Sequence, residues 1–391
     1  MSDSLVTVLG FLVLGSGFLV LYPYIFYPLT LRLIREDGTK ARRVHSPPIG
    51  KRSTTYDIVL CAYNEERCIR QKIENCLAIV GRLGHVQIHA YSDGSTDRTN
   101  EILVGYADKI DVVISPVRHG KSTGMNRLLE RCKADFVVFT DANTILDVES
   151  FDNIQGHFRD AAVGCIAGHL IYDNEVESNV ALMGRNYWIF EENLKLLESQ
   201  SGSCVGADGS LFVIRRELFK PLPAHIIDDM YTSLSILCDG WRVIQVTDVI
   251  AKERSATVSG EEFARKVRIA CRCFNCHRVL RSRLRQLPPT MLYKYISHKV
   301  LRWFGGVFVI SGAVAGATLL LLLGQSSIAV VGVVSLVAVL LGHRGKVKLL
   351  GQARESLLAM LAASLGILQS WRGLRYQVWT IAASTRRPSD V

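Results

Sequence analysis

Val86-Gln-Ile-His-Ala-Tyr-Ser-Asp-Gly-Ser-Thr-Asp97 is the stretch whose reading decides the fold. Val86–Tyr91 has the apolar, β-branched and aromatic character of a strand. Asp93 and Gly94 turn the chain, and Asp97–Tyr106 reads as a helix capped by Ser95 or Thr96. Working outward, the alternation repeats. Asp57–Cys61 is a short buried strand and Glu65–Val80 has helical periodicity. Asp111–Ile114 is a strand, Lys121–Cys132 a helix, and Phe136–Thr140 a wholly apolar strand. This order implies an α/β fold around a mostly parallel, doubly wound sheet. Such sheets bind ligands beyond the carboxyl ends of their strands, and Asn64, Asp93 and Asp141 all fall there. Farther on, Val163–Ile171, Gly209–Arg215 and Trp241–Val246 read as strands. Gly184–Ser199, Asp229–Cys238 and the arginine-rich Glu261–Leu287 read as helices, the last as a basic amphipathic helix suited to a membrane surface.

The flanks have a different composition. Ser4 to Leu31 and Trp303 to Gly342 carry no charge. A spanning helix needs about 20 apolar residues, so the first stretch reads as one retained anchor. The second reads as a hairpin of two spans, broken at Gly324-Gln-Ser-Ser327. Arg32, Arg35, Lys40, Arg42, Arg43, Lys51 and Arg52 come after the anchor, which predicts a catalytic domain on the cytoplasmic side of a multi-pass membrane protein. The chain returns to that side at His343-Arg-Gly-Lys-Val-Lys348. Ser356–Trp371 is apolar but short, a span or a re-entrant segment; Arg372, Arg375, Arg386 and Arg387 behind it favour partial insertion. The expected organisation is an N-terminal helix (1–34), a basic linker (35–55), an α/β domain (56–255), interface helices (256–302), the hairpin (303–342) and a C-terminal segment (343–391).

The 391 residues carry a net charge of +10. Much of it lies next to the apolar stretches, where it suits anionic membrane lipids or an anionic substrate. The basic residues form no face with interleaved aromatics, which argues against nucleic acid. The ten cysteines read as reduced thiols. Cys271-x-Cys-x-x-Cys-His277 has metal-like spacing, but only Cys273, Cys276 and His277 share a helix face, and the segment reads as structural. A transporter is disfavoured, since the two uncharged stretches hold no ionisable residue.

Three acidic clusters carry the chemistry. Asp93 is either a turn residue or, with Asp97 or Ser95 serving as cap, a free carboxylate. Asp141-Ala-Asn143 ends an apolar strand; beside Asp93 it makes a place for a divalent cation with phosphates. Asp228-Asp229 suits a helix N-terminus, or else a carboxylate base whose neighbour raises its pKa. Arg118-His-Gly-Lys121, with Asn126, lies between a strand and a helix, where backbone N–H groups and Lys121 suit a phosphate.

Ala62-Tyr-Asn-Glu-Glu66, Ser92-Asp-Gly-Ser-Thr-Asp97, Gly120-Lys121 with Asn126, Thr140-Asp-Ala-Asn143, Gly206 to Arg216 and Asp228-Asp229, in that order, resemble the family-2 glycosyltransferases. The likeness is to their membrane-embedded branch, which includes cellulose, chitin and hyaluronan synthases and ceramide glucosyltransferase, and it covers about Tyr56 to Arg272. The resemblance implies a glycosyltransferase-A fold and inverting transfer from a nucleotide sugar. It implies that Tyr63 and Glu65 border the uracil and ribose, that Ala62 and Asn64 also bind the nucleotide sugar, that Asp93 contacts the nucleotide with Lys121 and Asn126, and that Asp141 with Asn143 holds Mg²⁺ or Mn²⁺. Asp229, with Asp228, looks like the base; Gly206, Asp208, Gly209 and Ser210 look like the acceptor loop. The family's Asp-x-Asp is here Asp141-Ala-Asn143, whose amide is neutral. Two segments compete for the Gln-x-x-Arg-Trp motif of processive synthases. Arg265-Lys-Val-Arg-Ile269 has Ile in place of Trp, and Lys299-Val-Leu-Arg-Trp303 comes late. Arg268 with Arg265 is the expected diphosphate contact, and Arg302-Trp303 an interface anchor.

The expected function is transfer from a UDP-sugar to a lipid-linked or growing glycan acceptor at the cytoplasmic membrane face. A processive polysaccharide synthase is the first alternative; a non-catalytic sugar-nucleotide-binding membrane scaffold is the second.

Overall fold

The computed structural model describes residues 2–34, 54–172, 179–254, 259–341 and 348–379. The strands are β1 (Tyr56–Ala62), β2 (Val86–Asp93), β3 (Asp111–Ser115), β4 (Phe136–Thr140), β5 (Ile145–Leu146), β6 (Val163–Tyr172), β7 (Leu211–Arg215) and β8 (Arg242–Glu253). They form one sheet in the order β3-β2-β1-β4-β7-β6-β8-β5. The helices are α1 (Ser2–Leu21), α2 (Phe26–Leu31), α3 (Ile69–Leu83), α4 (Thr99–Val104), α5 (Lys121–Leu129), α6 (Ile154–His157), α7 (Asn179–Gln200) and α8 (Asp228–Cys238). They continue as α9 (Ser259–Leu284), α10 (Pro289–Tyr295), α11 (Leu301–Trp303), α12 (Gly305–Leu322), α13 (Ser326–Leu341) and α14 (Lys348–Trp371), with a π-helical turn at Ile296–Val300 between α10 and α11.

β1 and β4 are buried at every position, because helices cover both faces of the sheet, and that explains their continuous apolar runs. Alternate residues serve opposite cores. Val59, Cys61, Val137 and Phe139 meet Met125 and Leu128 of α5, Leu234 of α8 and Phe274 of α9. Ile58, Leu60, Ile88 and Val138 meet Ile69 and Ile73 of α3 and Leu103 of α4.

The expected parallel sheet is present in β1–β4. Beyond β4 it is mixed: β7 runs antiparallel to β4 and β6, while β6 and β8 are parallel. The segment before β7 leaves the start of β8, where the Cys204 N–H donates to the Val243 carbonyl, and reaches the carboxyl edge by Gly209, beside Asp141. β7 therefore starts at that edge, with Leu211 opposite Thr140. The carboxyl ends of β1, β2, β3, β4, β6 and β8 and the start of β7 therefore share one edge.

The first uncharged stretch is not one helix. α1 stops at Leu21 and α2 begins at Phe26; Pro23 lies in the break, and a proline there removes a helix hydrogen bond. Tyr27 and Leu31 of α2 bury themselves with Leu194 of α7. Among the described residues, two helices are long and apolar enough to cross a membrane, Asp3–Leu21 and Gly305–Leu322, while a third apolar stretch, Ser326–Val337, is shorter. α12 and α13 meet in a hairpin about Gly324, whose φ is +74°. α12 packs on α1, with Ser16 Oγ 3.1 Å from Ser311 Oγ. The 356–371 segment belongs to the longer α14, which lies along α9. A Cβ at Gly366 would stand 2.5 Å from the Val267 carbonyl oxygen, so glycine permits the close approach of these helices. The basic runs at 35–53 and 343–347, and Arg386 and Arg387, lie outside the described residues.

Candidate active site

α8 begins at the carboxyl edge with two acids. Asp228 is buried and Asp229 half-buried. Lys121, the first residue of α5, sits between Asp228 Oδ2 at 2.9 Å and Asp141 Oδ1 at 2.7 Å. Burial alone would lower the Lys121 pKa, but these two carboxylates raise it. Burial would raise Asp228, yet the charges of Lys121 and then Arg272 hold it below its ordinary value. Asp229 goes the other way: burial first, then the Asp228 charge, push it up to about 6. Two adjacent carboxyls driven apart in this manner divide the roles of fixed anion and proton acceptor.

Gly209 locates the centre of the site. A Cβ built there would stand 3.4 Å from Asp229 Oδ2, 3.5 Å from Lys121 Nζ and 3.9 Å from Asp141 Oδ2. The base candidate, the cation-site candidate and the acceptor loop thus converge on one point.

The nucleotide side is built from loops stitched to one another. Ala62 ends β1 and is buried. Asn64 takes a φ of +51°, which asparagine tolerates better than most residues. Its Oδ1 accepts from the Thr96 N–H at 2.8 Å, and its own N–H donates to Ser95 Oγ at 3.1 Å. Glu65 is buried, and its N–H donates to Thr99 Oγ1 at 2.8 Å. Asp97, not Ser95 or Thr96, serves the start of α4, accepting from the Thr99 N–H at 3.0 Å. Asp93 has no exposed surface; it accepts from the N–H groups of His119 and Gly120. In this structure it shapes the loop ahead of α5 rather than facing outward. Asn126 is also engaged, its amide exchanging hydrogen bonds with the Leu222 backbone at 2.9 and 2.8 Å. Asp93 and Asn126 thus both make backbone bonds that position neighbouring loops.

Two features of this side carry no mark in the sequence. The Arg118 guanidinium lies 3.4 Å over the Tyr63 ring. The chain after α14 then returns to the sheet edge: Arg118 Nη2 donates to the Trp379 carbonyl at 2.7 Å, and the Trp379 ring meets Tyr63 edge-on at 6.0 Å. No local signal singles out Trp379, since only the packing of α14 on α9 brings it there.

On the acceptor side, Gly206 has a φ of +101°, Asp208 pairs with the buried Lys195 of α7, and Ser210 Oγ donates to Glu253 Oε2 at 3.0 Å. Glu253 ends β8 and also accepts from Asn143 Nδ2 at 2.9 Å; it too is absent from the residues expected from sequence. α9 supplies Arg265, Arg268 and Arg272. Arg265 pairs with Glu262 at 2.9 Å. Burial, then the charges of Arg272 and Arg265, push Arg268 down to about 10, so it remains a cation at neutral pH. Arg268 Nε and Arg272 Nε are buried and unpartnered among the described residues. Arg302 lies elsewhere, paired with Glu191, and Trp303 packs on Phe274 and Tyr295.

Asp141 and Asn143 offer hard oxygen donors, a pair that fits Mg²⁺ or Mn²⁺. The open position at the Gly209 Cβ lies beside Asp141. A different group, Asp57, His89 and Cys132, also has metal-like proximity. It lies away from the carboxyl edge, however. His89 bridges Asp57 and Asp111, and Asp57 accepts from the N–H groups of Lys133 and Ala134. These bonds make it a buried ion cluster that ties strands together. Of the Cys271–His277 group, His277 Nδ1 bonds the Tyr295 hydroxyl at 2.8 Å.

Residues 57–222 match the family described as Glycosyl transferase family 2. The chain carries a family 2 glycosyltransferase domain. An N-acetylglucosaminyltransferase of Mesorhizobium japonicum is 24% identical over 227 residues, covering 52% of each chain. A poly-beta-1,6-N-acetyl-D-glucosamine synthase of Staphylococcus aureus is 26% identical over 114 residues, 28% of this chain and 27% of that one. The chain spans about half the length or less of these curated relatives. Among solved structures, a mannosyltransferase from Pyrobaculum calidifontis, in complex with GDP-Man and Mn²⁺, superposes with a TM-score of 0.69 at 19% identity. That match covers 95% of this chain and 99% of the other, so the family 2 domain and its flanking helices share one fold with it: a mixed α/β, glycosyltransferase-A-like architecture.

Proposed function

We propose that this chain transfers a sugar from a nucleotide diphosphate sugar, with inversion, to an acceptor hydroxyl presented beside its apolar helices. The observation that carries this reading is the convergence of Asp229, Lys121 and Asp141 about Gly209. UDP-N-acetylglucosamine is the proposed donor, because the curated relatives of the domain are named for N-acetylglucosamine transfer.

Asp229 takes the proton of the acceptor hydroxyl as that oxygen bonds to the anomeric carbon. The carbon–oxygen bond to the diphosphate breaks, and its electron pair leaves on the phosphate. Asp228, kept ionised by Lys121 and Arg272, holds the Asp229 pKa up, so the base is matched to near-neutral pH. Arg268 and Arg272, each with an Nε–H that has no partner among the described residues, supply positive charge for the leaving diphosphate. Asp141 and Asn143 would hold Mg²⁺ or Mn²⁺, which adds Lewis-acid stabilisation of that charge. Tyr63, Arg118 and Trp379 form the aromatic and cationic surface for the base. α1, α12 and α13 expose apolar side chains such as Phe11, Val314 and Val330. That exposure suits insertion in a membrane, with the site at its surface and a lipid-linked acceptor.

The test is incorporation of radiolabel from UDP-N-acetylglucosamine into lipid extract by the purified full chain with Mn²⁺. Label should appear with the native chain and vanish with Asp229→Asn; equal turnover by both would remove the base assignment. A discrete lipid product indicates single transfer, whereas a long polymer indicates the processive synthase that the staphylococcal relative's name suggests.

A further inference from the structure

The neutral amide at Asn143 leaves the acidic set one charge short of an Asp-x-Asp pair. The sheet brings another carboxylate to the same place. β5 is two residues long and pairs antiparallel with the end of β8, Ile145 against Lys252 and Leu146 against Ala251. That pairing lays Glu253 beside the loop after β4. Asn143 Nδ2 donates to Glu253 Oε1 at 2.9 Å, and Ser210 Oγ donates to Oε2 at 3.0 Å. An ionised carboxylate only accepts hydrogen bonds. Glu253 therefore selects the NH₂ end of the Asn143 amide and leaves its carbonyl oxygen as the end available to a cation.

We infer that Glu253 is the positioning residue of the cation site. It orients the Asn143 oxygen and supplies, one side chain removed, the negative charge that an aspartate at 143 would carry. Ser210 ties the same carboxylate to the acceptor loop, so the cation site and the acceptor loop share one anchor. The inference rests on Asp141 and Asn143 being the cation residues of the proposed transferase, and deepens that reading.

A charge exchange tests it. Glu253→Gln keeps the shape but removes the charge and makes either end of the Asn143 amide acceptable. In the double variant Asn143→Asp/Glu253→Gln the introduced amide donates its NH₂ to the introduced carboxylate, which restores the hydrogen bond with the charge moved to the ligand. Mn²⁺ binding by the purified full chain is measured from the free-Mn²⁺ electron paramagnetic resonance signal, with UDP in one arm and GDP in another. Glu253→Gln should bind Mn²⁺ about tenfold more weakly or worse, and the double variant should return to within about threefold of the native chain, a gap of roughly 0.7 kcal/mol. The Mn²⁺-free melting curve is the folding control, and the double variant carries the test if Glu253→Gln alone melts early. Unchanged Mn²⁺ affinity in Glu253→Gln, or a double variant as weak as the single one, overturns the inference while leaving the cation site standing. Absence of Mn²⁺ binding by the native chain with either nucleotide overturns the cation reading itself, and this inference with it.

Discussion

At the scale of single residues, the assignment of Asp229 as base makes a prediction about pH. Its carboxyl is raised to about 6, and only the ionised form accepts a proton. Activity should therefore rise with pH through about 6 and fall close to tenfold per unit below it. Asp229→Asn should lower kcat by roughly a hundredfold to ten-thousandfold while donor affinity, read by thermal shift with UDP, changes little. A flat profile between pH 5 and 7 would contradict the assignment. Gly209 gives an independent check. Its backbone is not in the left-handed region, and an added methyl would meet Asp229, Lys121 and Asp141 at ordinary contact distances. Gly209→Ala should thus fold normally, with the melting temperature within about 2 °C of native. It should lose at least about tenfold in kcat, because the methyl occupies the space where donor and acceptor meet. A fully active variant would mean that the reacting atoms lie elsewhere.

At the scale of elements, the segment after α14 is the one that sequence did not reveal. It is fixed to α9 by Asn275 Nδ2 on the Leu374 carbonyl at 3.2 Å, and it reaches the Tyr63–Arg118 pair through Trp379. Gly120 makes room for it: a Cβ there would stand 2.1 Å from the Gln377 oxygen, and its φ is +90°. Trp379→Ala should raise KM for the donor about tenfold, near 1.4 kcal/mol, with a smaller change in kcat; an equal fall in kcat at constant KM would place Trp379 outside the donor side. Other elements were legible for a physical reason. Phe136–Thr140 announced β4 because a strand buried on both faces must be apolar throughout, and the acids at the ends of such strands stand out for the same reason. Asp141 could be found that way, and Lys121 and Asp229 from the starts of α5 and α8. Glu253 could not. Its strand is interrupted by exposed residues Thr247 and Asp248, and its importance depends on pairing with β5, only Ile145 and Leu146 long. The direction of β7 was hidden too, since a strand's side-chain pattern is the same read either way. The break between α1 and α2 had a visible sign in Pro23, but absence of charge over 4–31 outweighed it.

At the scale of the whole molecule, α7 joins the apolar N-terminal helices to the acceptor loop through buried charge. Glu198 accepts from the Tyr27 hydroxyl of α2 and from the Val205 N–H at 3.0 Å, and its Oε1 lies 2.8 Å from His298 Nδ1. His298 Nε2 meets Glu191 at 2.7 Å, and Glu191 also pairs with Lys299 and Arg302. Lys294 closes the helix end, donating to the carbonyls of Glu198, Ser201 and Ser203. Burial alone would raise the Glu198 carboxyl, yet the charge and hydrogen bond of His298, then the Tyr27 bond, hold it below its ordinary value. A charge so enclosed is costly to leave half-partnered. Glu198→Ala should therefore destabilise the chain by roughly 3–5 kcal/mol, read as an early melting transition. It should also reduce transfer, because the Cys204–Ser210 segment loses its tie at Val205. Glu198→Gln, which still accepts from Tyr27 and Val205, should fall between the two. The order of the three melting temperatures is the measurement. If the alanine variant melts with the native chain, the buried pairs do not couple the apolar helices to the catalytic domain, and the two parts move independently about α7.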